Sequence, residues 1–403
     1  MDKVAIVSTI QPETHYTRYL YKELKNINEN IYLLIDDIPE NDEFVEGQKD
    51  KNIIKLWKAN LSLPFAINRF VKLNNISIVH LQHEFNMYGG IKGIPIFLFT
   101  MIFLKIVRKN IVVTTHAVVD YRTIDNDFLE TFVLDKFKRI KDIAKIAFYL
   151  FYKVVGLIAD KVIVHSNFTK QIYIDSYKIK ESKCFVIPIG VNNLSSVIAN
   201  DKGLDSKTEW SEEIKGKNII LYFGYILKRK GLELLIQAIS SLKNDIPDNV
   251  VVLAGGMLEN QKGYVDYLKK MITEKGLTKE IIFTGFLSKK EIDFLYNKCD
   301  FVVLPYTYSI SSSLPLSLAF EAGKPVIASD IGTLRDEIID NVNGLFFKNG
   351  DLKELCDKIY LLSTNNNLLR RLQNGAKREF GIRSWAKIAK LTNEVIYSNK
   401  KPN

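Results

Sequence analysis

The stretch SISSSLPLSLAFEAGKPVIASDIG, Ser309 to Gly332, decides how the rest of this 403-residue chain is read. A turn of small residues, Ser311 to Ser313, leads into an apolar helical segment that carries Glu321. Gly323-Lys324-Pro325 breaks that segment, and Val326-Ile327-Ala328 reads as a buried strand. A serine-rich turn ahead of a helix presents free backbone N–H groups and the positive end of the helix dipole, which suits an anion. A carboxylate two turns further on reaches the hydroxyls of whatever carries that anion. Phosphate plus ribose satisfies both, so the stretch reads as a nucleotide pocket within an αβ unit. The plainer reading is an ordinary αβ unit in which Glu321 has no ligand.

Working outward, the same alternation of apolar strands and helical patterns continues on both sides. Ile219–Phe223, Val250–Ala254, Ile281–Thr284, Phe301–Leu304 and Pro325–Ala328 form one series. Val4–Ser8, Ile31–Ile35, Ile78–Leu81, Ile111–Thr115, Lys161–His165 and Cys184–Pro188 form an earlier one, with a helix over Tyr16–Leu24. Strands alternating with helices predict parallel, doubly wound sheets. Between the two series, Ser195 to Asn218 is polar and reads as linker and surface loop. The expected architecture is α/β, with two Rossmann-like domains facing a central cleft. One domain, over residues 1–198, would hold the second substrate, and the other, over 199–383, the nucleotide. Residues 384–403 form a final amphipathic helix.

Apolar residues make up 47% of the chain and charged residues 25%, as in a globular protein. The net charge of +10 suits anionic partners. It is spread along the chain, which does not favour nucleic acid. Cys184, Cys299 and Cys356 have no metal-ligand spacing and read as reduced thiols of a cytoplasmic protein. No signal peptide is expected, and the apolar run Gly93 to Leu104 is too short to span a bilayer. Phe132 to Leu157 mixes Lys136, Lys138, Arg139, Lys141, Lys145 and Lys153 with aromatic and aliphatic residues, and Phe97–Lys105 adds a second apolar segment. Together they predict peripheral contact with an anionic inner membrane face; packing of both helices on the first sheet is the alternative.

The candidates for chemistry fall at strand ends. All five histidines, His15, His80, His83, His116 and His165, lie in the first half. Most histidines are structural, but His116 ends the strand Ile111–Thr115, where a cleft is expected, and leads the set. His83-Glu84 comes second. In the second half, Lys228-Arg229-Lys230-Gly231 lies at a strand-to-helix turn and can neutralise a diphosphate; a solvated basic turn is the plainer reading. Gly285-Phe286-Leu287-Ser288 ends a strand and can meet a nucleobase, and Gly255-Gly256 permits close backbone approach. Neither GxxxxGK[ST] nor GxGxxG occurs, so ATP hydrolysis and NAD chemistry have no support. Asp125-Asn126-Asp127 matches a metal-binding DxD pattern but sits in a polar loop, and no metal site is expected.

FGYILKRKGLELLIQAI, VVLAGG, IIFTGFLSKKEIDFLYNKCDFVVLPY and LPLSLAFEAGKPVIASDIGTLRDEIIDNVNGLFF follow one another over Asn218 to Phe347. This ordered set resembles the retaining glycosyltransferases of family 4, which have the GT-B fold. HLQHEF, YGG, VVTTH, ADKVIVHS and CFVIPIGV extend the resemblance through the first half, and SWAKIAKLTNEVI resembles the final helix that crosses back. The resemblance implies transfer of a sugar from a nucleotide donor, with retention and without a bound metal. The donor is a co-substrate, and no cofactor is implied. Arg229 and Lys230 match the basic pair on the diphosphate, and Glu321 matches the ribose ligand. His116 matches the histidine that contacts the transferred sugar. Ser312, Ser313 and Leu314 fall at the helix N-terminus by the phosphates, and Phe286 and Leu287 fall by the base. Ser313 replaces the first Glu of an E-x7-E motif, Leu314-Pro315-Leu316 replaces the glycines usual after it, and Tyr225 replaces an arginine. The expected activity is hexose transfer from a UDP- or GDP-sugar to a glycan or lipid-linked glycan. A sugar epimerase or phosphorylase on the same fold, or a non-catalytic nucleotide-sugar-binding subunit, stands as the alternative.

Overall fold

The computed structural model describes residues 2–11, 16–48, 50–85, 87–125, 128–129, 141–192, 209–257 and 261–397. His15, Asn126, Asp127, the basic stretch 132–140, and most of the expected linker with the 198/199 boundary lie outside the described residues.

Two wholly parallel sheets form the frame. The first has seven strands: β1 (Val4–Val7), β2 (Ile31–Asp36), β3 (Ile53–Trp57), β4 (Ile78–His83), β5 (Asn110–Thr115), β6 (Lys161–Val164) and β7 (Cys184–Val186). Their spatial order is β3-β2-β1-β4-β5-β6-β7. The second has six: β8 (Asn218–Phe223), β9 (Asn249–Ala254), β10 (Ile281–Gly285), β11 (Phe301–Leu304), β12 (Val326–Ser329) and β13 (Gly344–Phe347). Their order is β10-β9-β8-β11-β12-β13. The order therefore reverses at β1/β4 in one sheet and at β8/β11 in the other. In open parallel sheets the ligand crevice lies outside the carboxyl ends of strands at such reversals.

Central strands β1, β4 and β9 are buried along their whole length, because helices cover both faces of each sheet. The sequence reading missed β3 and β13, and it placed a linker where the helix Glu209–Glu213 stands, its Trp210 buried in the second core. The other strands lie where the apolar runs predict them. One departure from apolar composition matters below. Central strand β4 carries His80, Gln82 and His83, and β5 carries Thr114 and Thr115, all buried.

The last described segment returns to the first domain. The helix Trp385–Thr392 and the turn Asn393–Tyr397 join its core beside the helix Tyr16–Ile27. Trp385 packs edge-on against Tyr16 and stacks on Tyr19. Lys161 Nζ donates to the carbonyl oxygens of Val395 and Ile396, a cation at the end of a helical segment. Where the chain crosses between domains, Val191 pairs with Ser384, and the Val191 N–H donates to the Arg383 carbonyl oxygen.

Candidate active site

The basic turn is built by backbone constraint. After β8 the chain forms a tight turn over Lys228–Lys230, which ends on Gly231 at φ +66° before the helix Leu232–Leu242. A Cβ on Gly231 would lie 1.9 Å from the Pro305 carbonyl oxygen, so only glycine lets the turn lie against the end of β11. The Arg229 carbonyl oxygen accepts from the Thr307 N–H at 2.9 Å, which ties the two loops together. Lys230 Nζ sits 3.4 Å from the centroid of the Tyr306 ring, a cation–π contact. Burial, then the neighbouring Arg229 cation, holds the Lys230 ammonium well below the usual lysine pKa. Among the described residues Lys230 forms no salt bridge within 4.0 Å, so an entering diphosphate would supply the missing charge.

The helix Leu314–Glu321 points its N-terminus into the same place. Ser313 is its N-cap in extended conformation, with no side-chain cap bond. Pro315 falls in the first turn, where a missing N–H disrupts no intrahelical bond. The Ser313 hydroxyl lies 3.4 Å from the Tyr306 hydroxyl, so Tyr306 touches both the lysine and the helix cap. Ser312 Oγ is buried without a hydrogen-bond partner among the described residues, and Leu314 is exposed. A buried hydroxyl left unsatisfied is costly, and a phosphate oxygen would satisfy it.

Three neighbouring strand ends form a slot beyond the basic turn. Phe286, exposed after β10, stands edge-on to Tyr225 after β8, with ring centroids 6.2 Å apart. Gly256 after β9 lies under the Phe286 ring, where a Cβ would come within 2.1 Å. Leu287 packs on the second core and anchors the loop.

Glu321 ends its helix. Its Oε1 accepts from Asn192 N–H at 2.8 Å and Asn192 Nδ2 at 3.1 Å. Burial raises its carboxyl to about 7, against the opposing pull of the Asn192 bonds and Lys289. Asn192 lies on the connection leaving the first domain, so Glu321 is held across the domain boundary. The sequence reading passed over Asn192, since nothing in its surroundings marks it apart from the fold.

The first domain reaches the cleft at the end of β5. The Val118 N–H donates to the Ile310 carbonyl oxygen at 2.8 Å, and Ala117 pairs with Ser311. His116 is thereby brought beside the serine turn. Its Nε2 lies 2.9 Å from Gln82 Oε1, and its Nδ1 lies 3.0 Å from His165 Nε2. His83, expected as a second candidate, instead lies in the core between Phe97 and Phe151, and burial lowers its pKa to about 3. Of the DxD pattern only Asp125 is described, and its carboxylate accepts from the Phe128 N–H. A cavity of about 710 Å³ opens between the domains, lined by Asp120, Arg122, Phe128, Phe168, Arg229 and Tyr308 among others.

Two family models match, Glycosyltransferase Family 4 over residues 16–193 and Glycosyl transferases group 1 over residues 205–379. The chain belongs to the group 1 glycosyltransferases of the family 4 type. Its fold is GT-B. The structure of Anabaena HepE in complex with UDP superposes with a TM-score of 0.72 and 16% identity, covering 98% of this chain and 99% of that one. Sucrose-phosphate synthase from Thermosynechococcus elongatus gives a TM-score of 0.70 and 18% identity, covering 98% of each. An uncharacterized glycosyltransferase of Methanocaldococcus jannaschii is 25% identical over 245 residues, 58% of this chain and 59% of its own length. The O-antigen chain mannosyltransferase C of Escherichia coli is 27% identical over 204 residues, 50% of each chain. The chain thus matches about three fifths of the first of these relatives' length and half of the second's.

Proposed function

We propose that the protein transfers a hexosyl group from a UDP- or GDP-sugar to a hydroxyl of a glycan or lipid-linked glycan, with retention at the anomeric carbon. The observation that carries this reading is the convergence of Arg229, Lys230 and the N-terminus of the helix Leu314–Glu321 at the strand-order reversal of the second sheet. As the glycosidic C–O bond breaks, its electron pair moves to the diphosphate. Two cations and oriented N–H groups offset that charge, a role a metal ion plays elsewhere. Glu321 takes the ribose hydroxyls once Asn192 yields them its oxygen, and the base lies by Phe286 and Leu287. HepE, which shares the fold, was crystallised with UDP and with UDP-glucose, consistent with such a donor here. The cavity of about 710 Å³ beside Arg229 has room for an acceptor sugar, which favours transfer over epimerisation.

A lipid-linked acceptor fits the outer face of the first domain. The helices Leu63–Leu73, Gly93–Ile106 and Lys141–Ile158 bury one face each in the same core. Their outward faces carry Phe65, Phe99, Ile102, Ile143, Ile146 and Leu150, all exposed. Among the described residues, no helix is long and apolar enough to cross a membrane. The reading is therefore attachment to one membrane surface. The deciding experiment incubates the protein with a panel of nucleotide sugars and acceptors, following UDP or GDP release and the anomer formed by NMR. Release of nucleotide into a glycosylated product with the donor's anomeric configuration supports the reading. Binding without turnover across the panel would leave only a nucleotide-sugar-binding subunit.

A further inference from the structure

Tyr306, two residues beyond β11, is buried beside the basic turn, and its backbone is fixed from three directions. The preceding Pro305 carbonyl oxygen abuts Gly231. The Tyr306 carbonyl oxygen accepts from Ser329 Oγ at 2.5 Å. The following Thr307 N–H donates to the Arg229 carbonyl oxygen at 2.9 Å. With the backbone so held, the ring lies between two parts of the expected phosphate site. Lys230 Nζ stands 3.4 Å from the ring centroid, and the hydroxyl lies 3.4 Å from Ser313 Oγ at the helix cap.

The face of an aromatic ring is the negative part of its quadrupole, so it attracts an ammonium and does little for a neutral amine. Lys230 is a lysine for which this matters, because burial and the adjacent Arg229 both favour loss of its proton. A carboxylate in place of the ring would offset the charge more strongly, but it would also repel an incoming diphosphate. The ring favours the ammonium without adding an anion, and Ser313 beside it is neutral too. The other charged and titratable groups of the surrounding elements are Lys228 and Arg229 in the same turn, Glu233 in the next helix, and Tyr222, Tyr296 and Tyr306. Glu233 accepts from the Tyr264 hydroxyl. Burial raises the Tyr306 hydroxyl to about 12 and those of Tyr222 and Tyr296 well above the usual tyrosine range. Glu321, at the far end of the helix that Ser313 caps, has its carboxyl at about 7.

We infer that Tyr306 is a positioning residue for the proposed transfer: its ring face holds the Lys230 ammonium where the donor diphosphate arrives. The functional half of this rests on the proposed transferase reading; the contact of ring and ammonium does not. Loss of the negative face should move protonation of Lys230 down by about one pH unit, a factor of about ten.

The test compares Tyr306→Phe with the full chain carrying 3,4,5-trifluorophenylalanine at the same position. Both rings fill the site, whereas Tyr306→Leu would open a cavity, and fluorine drains the negative face. Without ligand, melting temperatures are followed between pH 5 and pH 10. The face stabilises only the charged form. The two variants should therefore agree at the alkaline end and separate as pH falls and Lys230 gains its proton, the trifluoro variant melting lower. Lys230→Met in both should abolish the separation. Calorimetry of UDP and GDP should give matching affinities at the acid end, where both variants carry the ammonium. Above the interval in which the melting temperatures separate, the trifluoro variant should bind about tenfold more weakly. A separation equal at every pH, or one that survives Lys230→Met, overturns the proposal, because a ring that only fills space acts regardless of charge. Tighter binding by the trifluoro variant at the acid end overturns it too, since the lysine would then leave the ring to meet the phosphates. The expected melting behaviour with no binding of either nucleotide would defeat the transferase reading and leave the contact standing.

Discussion

Lys230 and Glu321, both proposed to contact the nucleotide, have opposite proton demands. Burial and Arg229 depress the Lys230 pKa, and burial raises the Glu321 carboxyl to about 7. A bound diphosphate favours the ammonium, so nucleotide binding takes up a proton at Lys230. Ribose hydroxyls donating to the carboxylate favour its ionised form, so binding releases a proton at Glu321. The two effects oppose each other in the parent and separate in variants. Calorimetry of UDP or GDP binding in buffers of different ionisation enthalpy should show proton uptake that grows as pH rises above 7 for Glu321→Gln, and net release near pH 7 for Lys230→Ala. Lys230→Ala should also weaken binding by about 1.5–3 kcal/mol, the scale of a hydrogen bond to a charged group. Parent-like proton counts in both variants would remove both residues from the nucleotide site. Glu321 also makes a prediction without ligand. Its folded pKa lies above the unfolded value of about 4.3, so its stabilising contribution is complete below that pH and is lost as pH rises through about 7. The melting temperature of Glu321→Gln should accordingly rise relative to the parent between pH 4.5 and pH 8, equivalent to roughly 1–2 kcal/mol after allowance for partial solvent access. A difference that does not change with pH would contradict the raised carboxyl.

At the scale of elements, the site depends on two short connections being as tight as they are. Gly231 is the clearest case, because positive φ and the Pro305 carbonyl oxygen at 1.9 Å exclude a side chain independently. Gly231→Ala should cost about 1–3 kcal/mol of stability through backbone strain. It should also shift the Arg229–Lys230 turn enough to weaken nucleotide binding at least tenfold. A variant that unfolds and binds like the parent would show the turn to be compliant. These connections were largely legible from sequence. Glycine after three cations, and serines before an apolar segment, carry their own local chemistry. The elements that escaped sequence reading lacked such marks. Strand β3 is short, carries Lys55 and is only partly buried along its middle, and β13 begins on Gly344 and is four residues long. Asn192 and Gln82 escaped for a different reason. The partner of Asn192 lies 129 residues away across the domain boundary, and that of Gln82 lies 34 residues away beyond the neighbouring strand β5 of the same sheet. His116 was legible as a strand-end histidine, but its contacts with Gln82 and His165 depend on the pairing of β4, β5 and β6.

For the whole molecule, the net charge of +10 and the apolar outer faces of three helices bear on the same question. Phe65, Phe99 and Phe103 cluster edge to face and stacked on that surface, and Ile143, Ile146, Leu150 and Leu157 run at helical spacing beside them. Arg69, Lys72, Arg108 and Lys145 lie on the same helices or at their ends. Apolar side chains with basic neighbours suit insertion at the level of lipid head groups, each nearby cation adding about 1 kcal/mol of attraction to an anionic surface. The sequence alone favours peripheral contact, with packing on the sheet as the alternative. The structure has each helix pack with one face and leave a second apolar face uncovered. The protein should therefore sediment with anionic vesicles at low salt, less so at high salt, where charge attraction is screened. It should bind neutral vesicles weakly. Ile146→Asp combined with Leu150→Asp should release it from anionic vesicles at low salt, because burial of the stripe then requires desolvating two carboxylates, while nucleotide affinity stays at the parent level. Release by salt with no effect of the aspartates would mean attraction without insertion. A parent that never sediments would separate the enzyme from the membrane and direct the search for its acceptor to soluble glycans.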